Sequence, residues 1–407
     1  MTEALAKLPA LLRPSFMLFL GDFIYIDVPI RFGLSMSHYR SEYRRIYSSP
    51  SWNSGAPDHR AIDLPWIHTL DDHEIQNDWA KGNKTAPYPA AADPFIHYHV
   101  KGNPPVPKTP FAPSDNLTYF AFNHGPASFF MLDTRTYRTE PSHENSTILG
   151  RAQLQSLLTY ISTPEPPGTH WKIISSSVPF TKNWHVGTAD TWGGFTNERT
   201  KVFEAMWHAE RTLNLRIILL SGDRHEFAAT RFPDPALALP RSQLQPNTPG
   251  IGLHEFCVGP LSMFYLPVRT YRQTDYEDVM VKYVPEGNSK FGLINIAEEV
   301  EDLDPKSSAP VPVRSSVLTY SLYVDGAVVW KYRLFVPLDR DEAGLASLSD
   351  YERALRLPPG RVVEDQIVDH WGAVVGDALG RIPEVVKSVV ERGIGYYDSL
   401  TDRVQRA

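Results

Sequence analysis

The sequence predicts an α/β (α+β) fold in which a mixed sheet sandwich carries outer helices. Three observations lead to this prediction. Strand-like apolar runs alternate with helix-like segments early in the chain, and late strands pair by hairpins. The chain has 407 residues, of which 42% are hydrophobic, so it can bury a full core. This length allows one large domain or two smaller ones.

The expected strands are short runs of bulky apolar residues, and the expected helices repeat apolar residues every three or four positions. Two alternating runs face each other across Asp325-Gly326, which is the strongest hairpin signal in the sequence. The predicted strands cover residues 16–20, 66–70, 128–132, 171–177, 215–220, 251–259, 291–296, 317–324 and 327–336, and the predicted helices cover residues 39–47, 153–160 and 198–213.

Two stretches differ from this pattern. Residues 81–113 are dense in proline and are interpreted as a long loop over the functional site. Residues 339–407 carry apolar residues at helical spacing, with Gly372, Gly376 and Gly380 at every fourth position. They predict a C-terminal helical extension docked on a main domain at residues 1–338. Weak contact of these helices with a membrane surface or a partner protein is the alternative.

Composition narrows the classes of function. The net charge of −7 provides no broad basic face, so a nucleic-acid-binding role is not expected. The single cysteine, Cys257, excludes an intramolecular disulfide. No run approaches the roughly 20 apolar residues of a membrane span, and residues 1–14 lack the pattern of a signal peptide. We therefore expect no transmembrane segment, and the compartment stays open.

Three short acidic clusters each follow a predicted strand. A carboxylate just past a buried strand is held rigidly, and such loops meet at one edge of an α/β sheet. Crowded carboxylates repel one another unless a cation joins them, so the clusters predict a metal centre. The clusters are Gly21-Asp22-Phe23-Ile24-Tyr25, Asp71-Asp72-His73-Glu74 and Ser221-Gly222-Asp223-Arg224-His225.

The residue types in these clusters suit distinct roles. Asp22 and Tyr25 stand three residues apart at a strand end and are expected to face one cleft. Asp223 and His225 alternate along an expected extended segment, so both side chains point to one side, and this pair suits a first-row transition metal. Asp72 is a candidate to complete the shell of a second metal.

Two further side chains suit the chemistry of a phosphoester hydrolase, which is the natural reaction class for a two-metal site. His73 is suited to hydrogen-bond a substrate oxygen or to protonate a leaving group near neutral pH. Arg135, after another strand, is suited to clamp phosphate oxygens bidentately. Each residue also has a structural alternative. An aspartate after a glycine is typical of a turn or a helix cap, and Arg135 is equally suited to a surface ion pair. The shared context of the three clusters favours the metal site.

Six blocks, in this order, resemble the alkaline phosphatase D (PhoD-like) family within the metallophosphoesterases. Together they extend from about residue 16 to about residue 335. The blocks are Gly21-Asp22-Phe23-Ile24-Tyr25-Ile26-Asp27, Asp71-Asp72-His73-Glu74 with Asn77 and Trp79, Leu132-Asp133-Thr134-Arg135-Thr136-Tyr137-Arg138, Ser176-Ser177-Val178-Pro179-Phe180, Trp192-Gly193-Gly194-Phe195 and Leu220-Ser221-Gly222-Asp223-Arg224-His225-Glu226.

The resemblance implies a four-layer αββα fold and a site with iron and calcium that acts on phosphate mono- or diesters. It implies that Asp22 bridges the metals and that Tyr25 ligates iron. Asp72, Asp223 and His225 would complete the metal shells, and His73 would assist the leaving group. The residues that would line the site are Asp71, Asn77, Arg135 and Trp192.

One departure from the family pattern leaves two functions open. The family's first strand, which supplies a metal-ligating cysteine, has no counterpart in this chain, and Cys257 lies in a different block. Residues 1–338 are therefore expected to be an N-terminally truncated PhoD-like domain. A metal-dependent phosphomonoesterase or phosphodiesterase is the favoured function. The alternatives are a non-catalytic relative that binds a phosphorylated ligand or a partner, and a mononuclear metal hydrolase.

Overall fold

The computed structural model describes residues 1, 4–5, 7–8, 12–28, 31–50, 64–104, 117–237, 252–261, 269–302 and 312–338. The chain divides into two compact units, Met1–Val362 and Val363–Ala407, and every described residue lies in the first. The predicted C-terminal helical extension at residues 339–407 thus lies outside the described residues. Within the described ranges, no helix combines the length and the apolar character needed to cross a membrane.

The described strands form three sheets, and four α-helices accompany them. The strands are β1 Met17–Phe19, β2 Trp66–His68, β3 Phe120–His124, β4 Ala127–Met131, β5 Trp171–Ser176, β6 Arg216–Ser221, β7 Phe227–Pro233, β8 Gly252–Cys257, β9 Val279–Val284, β10 Lys290–Asp302, β11 Pro312–Val324 and β12 Ala327–Pro337. The helices are α1 Met36–Tyr47, α2 Tyr88–Tyr98, α3 Gly150–Ser162 and α4 Thr196–Thr212.

The largest sheet has the strand order β3-β4-β5-β6-β8-β7-β9, and its centre is parallel. β4 pairs with β5, β5 with β6 and β6 with β8 in parallel, and α3 and α4 provide the first two crossovers. The carboxyl ends of these strands therefore lie along one edge. β1 and β2 form a separate parallel pair, so the loops that follow them also leave from a common edge.

Alternating side chains on the central strands divide the core into two clusters. On β6, Ile217 and Leu219 pack with α3 and α4, whereas Ile218 and Leu220 pack toward the other sheets. That second face meets β10–β12, where Phe256 stacks on Tyr320 with ring centroids 4.1 Å apart. The period of two along the strand thus places apolar surface on both faces of the large sheet, as a doubly covered sheet requires.

The small β1–β2 sheet lies on the same side of the large sheet as β10–β12, and α1 and α2 cover it as the fourth layer. Leu18 packs into the cluster between the sheets, while its neighbour Phe19 faces outward and packs with the aromatic residues of α1 and α2. On β2, Ile67 packs inward, and His68 stacks on His99 with ring centroids 3.6 Å apart. The predicted α/β (α+β) class and the four-layer αββα arrangement are confirmed.

Helix α2 contradicts the interpretation of residues 81–113 as an irregular loop. Tyr88, Ala91, Ala92 and Phe95 are buried and repeat with helical spacing on one face. A proline in the first turn costs no hydrogen bond, and burial of this face holds the helix through the internal Pro94. The proline content concealed an amphipathic helix.

The hairpin prediction is confirmed, and three strands were not predicted. Asp325 and Gly326 have φ values of 48° and 90°, which is the left-handed geometry that a two-residue hairpin turn needs. The three strands that the apolar pattern missed are β3, β7 and β9.

Candidate metal centre

Two aspartates stand in left-handed backbone where strands end. Asp22, three residues past the end of β1, has φ 58°, and Asp223, two residues past the end of β6, has φ 66°. Aspartate tolerates this region better than most residues because its short polar side chain can bond locally. Asp223 therefore turns out of the strand direction, so the extended segment expected for Asp223 and His225 is not formed.

Close approach of the first two acidic loops depends on a glycine. A Cβ on Gly21 would lie 2.3 Å from the Cβ of Asp71, so only glycine fits there. Gly21 also has φ 96°, which favours glycine independently. Asp71 precedes a short 3-10 turn, Asp72–Glu74. The adjacent carboxylates of Asp71 and Asp72 therefore lie beside that of Asp22.

The three clusters meet as the sequence predicts. One carboxylate oxygen from each of Asp22, Asp71, Asp72 and Asp223 lies within 4.8 Å of the others, and Asp22, Asp72 and His73 form a second such group. Asp22 Oδ1 and Asp71 Oδ2 are buried without a hydrogen-bond partner. Buried, mutually repelling carboxylates with orphaned oxygens fit a bound cation, because a cation supplies the partner that the protein does not.

Without a cation, burial makes ionisation of these carboxylates unfavourable. It raises the pKa of Asp22 well above its ordinary value and raises the pKa of Asp223 to about 6. Asp72 differs: burial also acts to raise its pKa, but Arg135, His73 and the N–H of Asp78 outweigh burial and lower it to about 2. The centre thus combines one firmly ionised carboxylate with others whose ionisation a metal would stabilise.

Tyr25 and His225 lie beside the acidic group and offer donor atoms of the kinds that bind metals. The Tyr25 hydroxyl lies 3.3 Å from Asp22 Oδ2 and 3.4 Å from His225 Nε2. Burial lowers the pKa of His225 to about 4, so its imidazole is neutral at neutral pH, the form that binds metals. Burial raises the pKa of Tyr25, and the nearby carboxylates of Asp22 and Asp223 raise it further. The phenol therefore keeps its proton unless a cation displaces it.

His73 is oriented by a carboxylate that the sequence did not single out. Its Nδ1 lies 2.7 and 2.9 Å from the two oxygens of Asp27, and the Tyr25 ring covers it at 4.3 Å between centroids. Burial acts to lower the pKa of His73, but Asp72, Asp22 and Asp27 raise it well above its ordinary value. Because Asp27 holds Nδ1, Nε2 is the nitrogen left to transfer a proton.

Arg135 lies in a buried ion-pair network. Its side chain is fully buried; Nε donates to Asp71 Oδ1 at 2.5 Å, and Nη1 and Nη2 donate to the two oxygens of Asp190 at 2.7 Å each. Nη2 also lies 3.6 Å from Asp72 Oδ1. The surface ion pair weighed from the sequence is thus a buried one, and the guanidinium contacts carboxylates where a phosphate clamp was expected. Arg135 therefore supports Asp71 and Asp72 in this structure.

Two of the expected lining residues, Trp192 and Asn77, make their described contacts with residues other than the clustered aspartates. Trp192 is fully buried, donates from Nε1 to Ser176 Oγ at 3.1 Å, and stacks on Phe180. It belongs to the hydrophobic core under α4. Asn77 is exposed and contributes its backbone N–H, which donates to Asp27 Oδ2 at 2.7 Å.

Other residues of the site escaped the sequence analysis. Glu74 joins two loops by backbone hydrogen bonds, although the only signal was its place in the second acidic cluster. Asp190 follows no strand and left no signal, yet it binds both Arg135 and Arg138. Ser177, the first residue past β5, donates to Asp71 Oδ1 at 2.8 Å. Cys257 lies beside this edge, with Sγ donating to the carbonyl of Gly222 at 3.4 Å.

Known proteins resemble this chain in sequence and in fold. Alkaline phosphatase D of Bacillus subtilis (strain 168) is 28% identical over 221 residues, which cover 47% of this chain and 35% of that protein. The match thus spans about a third of the relative's length. The solved structure of PhoD aligns with a TM-score of 0.50 and 16% identity, covering 88% of this chain and 73% of that one.

A purple acid phosphatase from yellow lupin (Lupinus luteus) seeds aligns with a TM-score of 0.46 and 12% identity, over 85% of this chain and 50% of that one. The sequence model of the PhoD-like phosphatase family matches residues 2–303. That match covers well over half of the 407 residues, includes all three acidic clusters, and agrees with the motifs recognised in the sequence. This chain belongs to the PhoD-like phosphatase family.

Proposed function

We propose that this protein hydrolyses phosphate esters at a binuclear metal centre. The observation that carries the proposal is the convergence of Asp22, Asp71, Asp72 and Asp223 with two orphaned carboxylate oxygens. Membership of a phosphatase family supports the same reaction class. Phosphate mono- or diesters are the proposed substrates.

The donor set suggests which residues would hold the metals. Asp22 belongs to both groups of possible ligand atoms, and its Oδ2 lies 3.3 Å from the Tyr25 hydroxyl, so Asp22 would help to hold both ions. Tyr25, Asp223 and His225 offer a phenol, a carboxylate and an imidazole, which suit iron, and a carboxylate such as Asp72 suits calcium. When bound, such ions lower the pKa of a water molecule and neutralise charge on phosphate oxygens.

The remaining side chains act on protons and on positioning. His73, held by Asp27 through Nδ1, would donate a proton from Nε2 to the leaving-group oxygen. Arg135 would keep Asp71 and Asp72 in place through its buried fork of hydrogen bonds. The reaction therefore needs one residue that moves a proton and one that fixes the carboxylates.

The test combines elemental analysis with hydrolysis of an aryl phosphate monoester and a diester. We expect about two metal equivalents and turnover in the unaltered protein, and a loss of turnover with retained folding in Asp223→Asn. Asp93→Asn is the matched control, because Asp93 is in an exposed ion pair with Arg40. Unchanged turnover in Asp223→Asn would remove Asp223 from the metal shell. Neither metal nor turnover in the unaltered protein would favour a binding protein instead.

A further inference from the structure

We infer that Glu74 is a positioning residue that fixes the separation of the first two acidic loops before any cation binds. The inference rests on the proposed metal centre but concerns a side chain outside the donor set. The sequence analysis assigned Glu74 no role, and it is absent from the groups of metal-ligating atoms found among the described residues.

The evidence is the set of hydrogen bonds that this carboxylate accepts. Oε2 accepts the N–H of Asp22 at 3.1 Å and the N–H of Asp71 at 2.8 Å. Oε1 accepts the N–H groups of Phe23 and Ile24, the latter at 3.4 Å. Glu74 is 1% exposed, so water does not compete for these donors. One side chain thus joins the loop that follows β1 to the loop that follows β2.

The backbone of the first loop is shaped for such an anion. Gly21 and Asp22 have φ values of 96° and 58°, and this turn directs three successive N–H groups toward one point. Concave sets of backbone N–H groups bind anions in many proteins. A second tie, from the N–H of Ile26 to the carbonyl of His73 at 3.3 Å, runs between the same two loops.

A positioning role follows from the charges nearby. Asp22, Asp71 and Asp72 repel one another, yet Gly21 allows their loops to touch. Glu74 accepts four N–H groups at this point, and three of them come from the loop that follows β1. The loops therefore stay together in the metal-free protein because of the three N–H groups of residues 22–24, so that the ligand atoms are already spaced for cations. Supporting residues of this kind typically change metal affinity or activity by 10- to 100-fold.

The substitution Glu74→Gln separates these hydrogen bonds from side-chain size. Glutamine has nearly the same volume, but it has one oxygen and one NH₂ group. Each oxygen of Glu74 accepts two N–H groups, so in either amide orientation the NH₂ group would face two donors. Glu210→Gln is the matched control: Glu210 is also buried and accepts one backbone N–H, from Ile217 at 2.8 Å, which a glutamine oxygen can still accept.

The experiment is calorimetric titration of the metal-free protein with Mn²⁺ and, separately, with Ca²⁺. We expect Glu74→Gln to weaken metal binding by 10- to 100-fold, and Glu210→Gln to bind as the unaltered protein does. A merely structural role would lower the melting temperature of Glu74→Gln and leave its metal affinity unchanged, which would overturn the inference. A failure of the proposed function is distinct, because the unaltered protein would then bind neither ion.

Amide hydrogen exchange tests the inference even if Glu74→Gln does not fold. In the unaltered, metal-free protein, the amides of Asp22, Phe23 and Ile24, which bond to Glu74 across the two loops, should be protected from exchange. Exchange of these amides at unprotected rates until metal is added would mean that the cation, and not Glu74, brings the loops together.

Discussion

His73 makes its closest side-chain contacts with Asp27, which also accepts the backbone N–H of Asn77. A carboxylate on Nδ1 fixes the tautomer, keeps the imidazole in one orientation and stabilises its protonated form. Asp27 lies outside the groups of metal-ligating atoms found in the described ranges, so its effect on the proposed reaction should pass through His73 alone.

We therefore predict that Asp27→Asn impairs catalysis in proportion to the leaving group's need for a proton. Loss of general-acid assistance should lower kcat on the order of 10²-fold for an alkyl phosphate and much less for a nitrophenyl phosphate. The measurement is kcat for both substrates, with metal content determined in parallel. Equal losses on the two substrates, or loss of metal, would contradict the role assigned to Asp27.

Arg135 shows where prediction from single residues stopped. The sequence correctly indicated an arginine beside the acidic clusters, and guanidinium geometry suited phosphate and carboxylate equally. The choice between them depends on Asp190, which comes from a loop distant in sequence. Because Arg135 is fully buried, its removal would leave uncompensated carboxylate charges and would lower the stability of the protein.

At the scale of the elements, Glu255 on β8 joins three segments of the large sheet. Its Oε1 accepts the N–H of Phe180 at 2.6 Å and the hydroxyl of Ser221 at 2.7 Å, and Oε2 accepts the N–H of Thr181 at 3.1 Å. Burial raises the pKa of Glu255 to about 7, against the lowering effect of these donors. The folded protein therefore holds this proton at pH values where the unfolded chain has lost it.

The sign of the pH dependence follows from that difference. Between the ordinary glutamate pKa of 4.5 and the folded value of about 7, the folded state binds more protons, so stability falls as pH rises. We predict that the stability advantage of the unaltered protein over Glu255→Gln decreases by about 3 kcal/mol between pH 5 and pH 8, at about 1.4 kcal/mol per pKa unit. Urea unfolding of both proteins at the two pH values measures this difference. A difference that is constant with pH would show that Glu255 titrates normally in the folded state.

Most helices and strands could be predicted because the apolar pattern of their own residues indicates which side chains are buried. β6 contains a continuous run of large apolar side chains at residues 217–220, buried on both faces. β7 was missed because Ala228 and Ala229 carry little strand signal. β9 was missed because Val279 is its one buried residue, Met280 is exposed and the other four residues are partly buried. Helix α2 was missed because Pro89 and Pro94 outweighed its apolar face. In each case tertiary packing stabilises an element that the local apolar pattern does not indicate.

At the scale of the whole molecule, the acidic centre lies where two sheets meet. Asp22 and Asp72 come from the loops after β1 and β2, whereas Asp223 and His225 come from the loop after β6 in the seven-stranded sheet. Sequence alone placed each cluster at a strand end. The pairing of β1 with β2 in a sheet of their own was not predictable, because it depends on packing against α1, α2 and the core between the sheets.

This position predicts that cations stabilise the fold by joining the two sheets. A ligand that binds only the folded state adds about 2.7 kcal/mol at a concentration of 100 times its Kd, so Mn²⁺ should raise the melting temperature by several degrees and a chelator should reverse the rise. Asp223→Asn removes the carboxylate that the seven-stranded sheet contributes, and most of the rise should then disappear. Asp93→Asn should retain it in full, because Asp93 is in an exposed ion pair with Arg40 and lies outside the groups of metal-ligating atoms found among the described residues. Scanning calorimetry with and without Mn²⁺ measures all three proteins, and an equal rise in Asp223→Asn would mean that the bound cation is held by the β1 and β2 loops alone.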